Sequence, residues 1–266
     1  MLDGEKRYFR NAGPNLFRVD STCYDIKIAK EGTSPSGSEK VNMENLPEII
    51  SAVKKEGKAI VAPKRMRVTY TLTVDTNAVP AGKIIRCWLP YPRQDQARQQ
   101  DVKFISASEP QYTFSSPECR HSTLYMEKRA VEGEPTVFSE TFEFTANGEW
   151  HNLKPEDVQP YDTTTALYKE YTAEREKHIV FSPRLRELAA KLTAGETNPY
   201  LKAKRIFRWV NDNFPWASAR EYSTIENIPE YVLDNRHGDC GQVSLLFITL
   251  CRISGIPAHF QSGFMM

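Results

Sequence analysis

The sequence predicts an α+β protein: an antiparallel β-sandwich is followed by a helix-rich α+β core. Two observations indicate this class. Between residues 64 and 150, apolar residues recur at alternate positions in five short runs separated by Pro, Gly and Asn. After residue 182 the apolar spacing changes to three and four residues, which is the period of a helix. A chain of 266 residues, 40% hydrophobic and 26% charged, is long enough for one large domain or two smaller ones.

Residues 1–63 are interpreted as a mixed leader segment with a short helix. The stretch "EGTSPSGSEK", residues 31–40, is rich in Gly, Ser and Pro and predicts a flexible loop. The following "NLPEIISAVKKEGK" predicts the helix, because Pro47 suits a first helical turn and Gly57 suits a helix end.

Residues 64–150 predict the sandwich, with a small barrel as the alternative. The runs are "RMRVTYTLTVD", "KIIRCWLPYP", "DVKFISASEP", "HSTLYMEKRAV" and "TVFSETFEFTANG". Their regularly spaced aromatic residues favour a buried core over a ligand platform. Residues 151–181 are expected to be a linker.

Residues 182–266 predict the second domain. Ser182 and Asn198 are each followed by proline and an apolar stripe, which is typical of capped helix starts. A shorter helix is expected from Pro229. Asp239 is a suitable N-cap for a long apolar helix that ends before Gly255, and alternation over residues 258–264 predicts a strand.

Cys240 is the first residue of that long helix and the main catalytic candidate. Unpaired backbone N–H groups and the positive end of the helix dipole favour a thiolate there, and the thiolate is the nucleophilic form. The same N–H groups can stabilise an oxyanion. The negative charge of the Asp239 carboxylate disfavours the thiolate form of Cys240, unless hydrogen bonds made in capping the helix neutralise that charge. The alternative is that Cys240 is a small buried residue without chemistry.

Three neighbours of Cys240 are weaker candidates for the site. Gly238 and Gly241 are expected to leave room for an approaching substrate. The side chain of Gln242 is a candidate to assist an oxyanion, although a glutamine on a helix surface is more often solvated.

The stretch "RHGDCGQVSLLFITLCRISGIPAHFQSGF" resembles the core motif of the transglutaminase-like superfamily, which has a papain-like fold and a Cys-His-Asp triad. "AKRIFRWVNDNFPW" and "IPEYVLDNRHGDC" resemble the helices that precede the nucleophile in that family. The arrangement of a β-sandwich before such a core resembles that of bacterial members of the family. The resemblance implies that Cys240 is the nucleophile and that no cofactor is needed.

The implied function is thiol-dependent acyl transfer or hydrolysis at amide bonds of a peptide or protein substrate. The family's His and Asp lie on strands after the point where this sequence stops, so the core is expected to be truncated. A fragment of a longer protein is favoured over completion by another segment or subunit, and over a degenerate domain. Whether the chain is an enzyme stays open. The alternative is an inactive scaffold whose sandwich is a binding or interaction module.

Histidines within the sequence offer weak substitutes for the missing base. His237 precedes Cys240 in the turn, and His259 lies on the expected strand. His121, His151 and His178 are not part of any sequence pattern typical of a catalytic or metal site. The histidine spacing and the absence of a CxxC pair argue against a metal site. Four cysteines are interpreted as structural: Cys23, Cys87, Cys119 and Cys251.

The net charge argues against two classes of binding partner. A formal net charge of +1 gives no electrostatic basis for binding to nucleic acid or to an anionic membrane. The charged start "MLDGEKRYFR" lacks a signal peptide, which leaves the cytoplasm, or the periplasm if a signal was removed.

Overall fold

The computed structural model describes four stretches of the chain: residues 11–33, 37–119, 121–218 and 220–262, without the side chains of 37–43. The chain divides into two compact units. One unit comprises residues 35–152, and the other combines residues 1–34 with residues 153–266. The N-terminal leader therefore belongs in part to the unit that carries Cys240.

The 35–152 unit contains two three-stranded antiparallel sheets. All five predicted runs form strands, and a three-residue strand, exposed throughout, adds a sixth that sequence periodicity could not reveal. One sheet has the order β1-β6-β3, formed by Ile60–Val74, Thr136–Glu149 and Gln99–Ala107. The other has the order β2-β5-β4, formed by Ile84–Pro90, Thr123–Arg129 and Tyr112–Phe114.

Both sheets contribute to one apolar core, so the unit is a sandwich, as predicted. Leu89 and Met126 from the second sheet pack in the same cluster as Phe138 from the first. Inward and outward residues alternate along β6, where Phe138, Phe142 and Phe144 are buried. Burial of these side chains is the main favourable term that holds the two sheets together.

The leader is more helical than its sequence indicated. Helix α1 spans Ala12–Val19 and helix α2 spans Ser21–Glu31. Helix α3 spans Gly37–Glu56, so the predicted loop at residues 31–40 is wrong where it overlaps α3, and residues 34–36 lie outside the described residues. Pro47 lies inside α3 rather than in its first turn. The sequence analysis did not predict the first two helices, and neither of them has a buried residue.

Five helices form the larger part of the other unit. They are α4 (Ala166–Thr172), α5 (Pro183–Leu192), α6 (Pro199–Asn213), α7 (Ile228–Asn235) and α8 (Cys240–Ile253). The predicted caps are present. Ser182 accepts from the backbone N–H of Leu185 at 3.2 Å, and Asn198 accepts from Tyr200 at 3.0 Å. Two observed elements depart from the expectations: α4 lies within the expected linker, and residues 258–262 form no strand.

Helix α8 lies against α4, α5, α6 and α7. Its apolar residues Leu246 and Leu250 are fully buried, which matches its predicted burial. Arg252 is also buried, and its guanidinium donates to the carbonyls of Ala173 and Ala258 at 2.7 and 2.8 Å. These bonds stabilise a charge that would otherwise be costly to bury. Among the residues that the structure describes, no helix is long and apolar enough to span a bilayer.

Glu140 is a polar exception in the sandwich core. It lies on β6 between Phe138 and Phe142, with 1% of its surface exposed. Neither carboxyl oxygen has a hydrogen-bond partner within the described part of the chain. Burial raises the pKa of Glu140 to about 7. A carboxyl in this environment favours the protonated form, so ionisation at higher pH destabilises the folded unit.

The Glu140→Gln variant should be more stable than the wild type at pH 8 and little changed at pH 4. The unfolded carboxyl titrates near 4.5 and the folded one near 7, so the destabilisation develops across that interval and is complete above it. We expect the melting temperature of the sandwich to rise by roughly 5 °C at pH 8, measured by calorimetry. Glu134→Gln, in an exposed turn, is the control. A gain of equal size at both pH values would contradict this origin.

Candidate active site

The turn that ends at Cys240 is fixed by a helix cap. Asp239 has an extended backbone, with ψ of 177°, and its carboxylate accepts from the backbone N–H of Gln242 at 3.0 Å. Helix α8 therefore begins at Cys240, as the sequence predicted. The Cys240 side chain is exposed, so the thiol is not a small buried residue of the core. The first N–H groups of the helix surround it without intrahelical partners.

Tyr222 is the functional neighbour that sequence reasoning missed. Its hydroxyl donates a short hydrogen bond to the same carboxylate oxygen of Asp239 that caps the helix. Burial, followed by this bond to Asp239, raises the pKa of Tyr222, so the hydroxyl remains a donor. The Asp239 charge is thus shared between two donors instead of facing Cys240 alone. No periodic pattern marks Tyr222, because it reaches the site from a short 3₁₀ turn, Tyr222–Thr224.

The two glycines have a packing role. A Cβ on Gly241 would lie 2.2 Å from the Tyr222 hydroxyl. A Cβ on Gly238 would lie 3.2 Å from atoms of Gln242 and Val232. At both positions, the protein's own side chains therefore lie where a Cβ would be. Glycine is needed at position 241 because any larger residue would displace Tyr222.

Gln242 lies inside the protein and not on the helix surface. Its side chain is fully buried, and its amide nitrogen donates to the carbonyl of Arg220 at 3.1 Å. This contact ties the start of α8 to the preceding loop. The amide oxygen has no partner among the described residues. The expectation of a solvated glutamine is wrong, because the loop before α7 folds over this face of the helix.

A segment before α7 runs alongside the cysteine turn. We call Trp216, Ala217, Ser218 and Arg220 the flanking segment. The backbone N–H of Ala217 donates to the carbonyl of Gly238 at 3.0 Å, and Trp216 forms a parallel β-bridge with Gly238. Ala217 is fully buried, whereas the Trp216 side chain is 46% exposed. The flanking segment therefore forms one wall beside the exposed thiol.

The histidines considered as substitutes for a base are engaged elsewhere. Nδ1 of His237 lies 2.7 Å from the carbonyl oxygen of Asn235. The ring of His259 packs on Tyr171 with centroids 4.9 Å apart. Within the described part of the chain, no hydrogen bond joins a histidine to the Cys240 thiol. Residues 263–266, which include the end of the expected strand, lie outside the described residues.

The other cysteines contrast with Cys240. Cys251 is 1% exposed, and burial raises the pKa of its thiol to about 12, so it stays a neutral core residue. Burial also raises the pKa of Cys87. Cys119 is exposed but is not at a helix start. Among the described residues, no group of three His, Cys, Asp or Glu side chains is arranged to hold a metal ion.

The site can present a nucleophilic sulfur to a carbonyl carbon. The thiol is exposed at the start of a buried helix, and backbone N–H groups point outward beside it. A negative oxygen formed at an attacked carbonyl would be stabilised by those donors. Cys240, Asp239, Tyr222 and the flanking segment are the parts that the fold brings together.

Comparisons with known proteins identify a matching family and a similar fold. Residues 186–266 match the model of the family described as the transglutaminase-like superfamily. The fold is similar to the 1.9 Å crystal structure of a "putative cysteine protease" from Cytophaga hutchinsonii, with a TM-score of 0.56 and 16% sequence identity. The similarity covers 74% of this chain and 66% of that chain. No curated protein matches the sequence.

These findings confirm the family resemblance and the α+β fold class inferred from the sequence. The family match includes the whole of α6, α7 and α8, and so includes Cys240. At 16% identity, the similarity to the solved structure shows a common fold. This chain spans about two thirds of the length of that structure.

The Gly241→Ala variant should lose about 1–3 kcal/mol of unfolding free energy in urea denaturation, because the added Cβ overlaps the Tyr222 hydroxyl. The matched control is Gly13→Ala on α1, where a Cβ would have no atom within 4 Å. That variant should be neutral or slightly more stable. Equal effects of the two substitutions would show that Tyr222 does not pack against Gly241.

The Tyr222→Phe variant should react more slowly at Cys240 with iodoacetamide at pH 7, by roughly threefold. Loss of the hydroxyl leaves the Asp239 carboxylate with one donor fewer, so more of its negative charge opposes the thiolate. Mass spectrometry of the alkylated Cys240 peptide measures the rate. Tyr231→Phe on α7 is the control and should keep the wild-type rate. An unchanged rate in Tyr222→Phe would show that the Tyr222 hydroxyl does not affect the reactivity of Cys240.

Proposed function

We propose, from the transglutaminase-like match at residues 186–266, that this protein is a thiol-dependent acyl-transfer enzyme in which Cys240 is the nucleophile. The observation that carries the proposal is an exposed cysteine at the first position of a buried helix. The reaction class is transfer or hydrolysis at an amide bond of a peptide or protein. The solved structure of similar fold, named as a "putative cysteine protease", supports the same class.

The proposed reaction has two steps. The Cys240 thiolate attacks the carbonyl carbon of the amide, and the tetrahedral oxyanion is held by backbone N–H groups at the start of α8. The C–N bond then breaks, and the amine leaves with a proton. Water or a second amine attacks the resulting thioester, which releases an acid or a new amide and restores the thiol.

The step that restores the thiol requires a base near Cys240. Within the described residues, His237 and His259 are occupied by other contacts. We propose that the triad histidine and aspartate are supplied from outside residues 1–266. Tyr222 and Asp239 are positioning residues in this account, because they fix the helix start and do not touch the reacting atoms.

An inactive scaffold is the second candidate. The observation that favours it is the absence, within the described residues, of a hydrogen bond between a histidine and the thiol. A scaffold retains the fold around Cys240 without an activated sulfur. The two candidates therefore differ in the reactivity of Cys240 relative to another exposed cysteine.

Cys240 should react with iodoacetamide at pH 7 at least about tenfold faster than Cys119 in the same chain. Cys119 is the matched control because both side chains are exposed and only Cys240 lies at a helix start. Cys251 should remain unlabelled in the folded protein, since it is buried. Peptide mapping by mass spectrometry gives all three rates. Equal rates for Cys240 and Cys119 would favour the scaffold.

Acylation can be tested separately with p-nitrophenyl acetate. We expect a burst of p-nitrophenol equal to one acetyl group per chain, followed by slow release of acetate in residues 1–266. Cys240→Ala should lose the burst, whereas Cys119→Ala and Cys251→Ala should keep it. A burst that persists in Cys240→Ala would place the nucleophile elsewhere.

A further inference from the structure

The leader helix α1 makes an unusual contact with the flanking segment. The side-chain amide of Asn15 donates to the backbone carbonyl of Ser218 at 2.6 Å and accepts from the backbone N–H of the same residue at 3.0 Å. One carboxamide therefore satisfies both main-chain groups of Ser218. The side-chain amide of Asn11 donates to the Ser218 hydroxyl at 2.9 Å.

This pair of bonds has the donor and acceptor pattern of a peptide in a β-ladder. An extended peptide that pairs with Ser218 would offer one C=O to its N–H and one N–H to its C=O. A primary amide carries the same two groups on one planar unit. Asn15 thus occupies a place that a substrate main chain can occupy.

The place lies close to the nucleophile. Ala217 is bonded to Gly238, and Gly238 precedes Cys240 by two residues. Ser218 directly follows Ala217, so a peptide paired with Ser218 would lie along the same wall beside the thiol. Trp216 adds an exposed aromatic ring to the same wall, and the Arg18 guanidinium lies 4.6 Å from the centre of that ring.

Helix α1 contacts the flanking segment through polar groups. None of its residues is buried, and three apolar side chains are exposed, by 40 to 47% of their surface: Leu16, Phe17 and Val19. Each hydrogen bond between partly exposed groups contributes little net stability, because water can replace either partner. A helix held in this way can be displaced by a ligand that makes the same bonds.

We propose that the backbone of Ser218 is a subsite for the main chain of a peptide substrate, and that Asn15 of α1 occupies it as an internal competitor. This inference rests on the proposed function, since it assigns a subsite to the Cys240 site. Arg18 orients the competitor, because it contacts both Trp216 and the Asn15 oxygen. The subsite binds the main-chain N–H and C=O groups of the substrate, so binding there is independent of the side chain of the paired residue.

The test compares two alkylating reagents on the full chain. Acetyl-Ala-Ala-Ala-Gly chloromethyl ketone carries an extended peptide, and iodoacetamide does not; each forms a C–S bond at Cys240 with loss of chloride or iodide. In Asn15→Ala, the second-order rate with the peptide reagent should rise about tenfold, because two hydrogen bonds of the competitor are lost. The iodoacetamide rate should change less than twofold. Lys27→Ala, on exposed α2, is the control and should leave both rates unchanged.

A third reagent tests main-chain recognition itself. When the three alanines of the peptide reagent are N-methylated, the N–H that would bond to the Ser218 carbonyl is gone, so Asn15→Ala should give no gain. Asn15→Asp keeps the accepting group and loses the donor, and should give a smaller gain with the unmethylated reagent. An equal gain with iodoacetamide or with the methylated reagent, or no gain at all, would overturn the subsite.

A binding measurement separates this inference from the proposed function. In the Cys240→Ser background, fluorescein-Ala-Ala-Ala-Gly-amide should bind about tenfold more tightly to the Asn15→Ala protein, as measured by fluorescence polarisation. This result would stand even if Cys240 reacted no faster than Cys119. Equal affinity of the Cys240→Ser protein with and without Asn15→Ala would overturn the subsite, but it would not bear on the role of Cys240 as the nucleophile. Melting curves of the Asn15 variants show that the unit remains folded.

Discussion

The capping bond of Asp239 is the contact on which the site depends. Its carboxylate accepts from the backbone of Gln242 and from the Tyr222 hydroxyl, so a single side chain both starts α8 and anchors the loop beside it. An N-cap lowers the free energy of the helix start by about 1 kcal/mol, and the Tyr222 bond adds to that. Because the helix begins at Cys240, the thiol is held where backbone N–H groups are unpaired. A shift of the cap by one residue would rotate the sulfur by about 100° around the helix axis.

Burial of α8 makes that position rigid. The helix is enclosed by four others, and its uncovered side begins with Cys240 and continues through Val243 and Phe247, which are half-buried. Arg252 closes the far end by bonding to carbonyls of the α4 region. A nucleophile at one end of such a helix can be approached from solvent while the rest of the element stays packed. The loop that carries Trp216 and Tyr222 then builds a wall beside the thiol.

The two units use polar groups differently. In the helical unit, buried polar side chains such as Gln242 and Arg252 are bonded to backbone carbonyls and connect distant segments. In the sandwich, Glu140 is buried without a bonding partner among the described residues, and its protonation relieves the cost of burial. The first arrangement fixes a geometry, whereas the second couples the stability of the sandwich to pH.

The sequence by itself determined the periodic elements and the helix starts. Alternating apolar residues predicted five strands, and Asp239 with Cys240 predicted where α8 begins, because both signals depend on neighbours a few residues apart. Only the tertiary structure decided what surrounds the thiol. Tyr222 and Asn15 reach the site through contacts that span 17 and 203 residues in the chain, and such contacts leave no local pattern. Gln242 became a buried link, and the glycines became packing positions, because a loop folds over that face of the helix and excludes water from it.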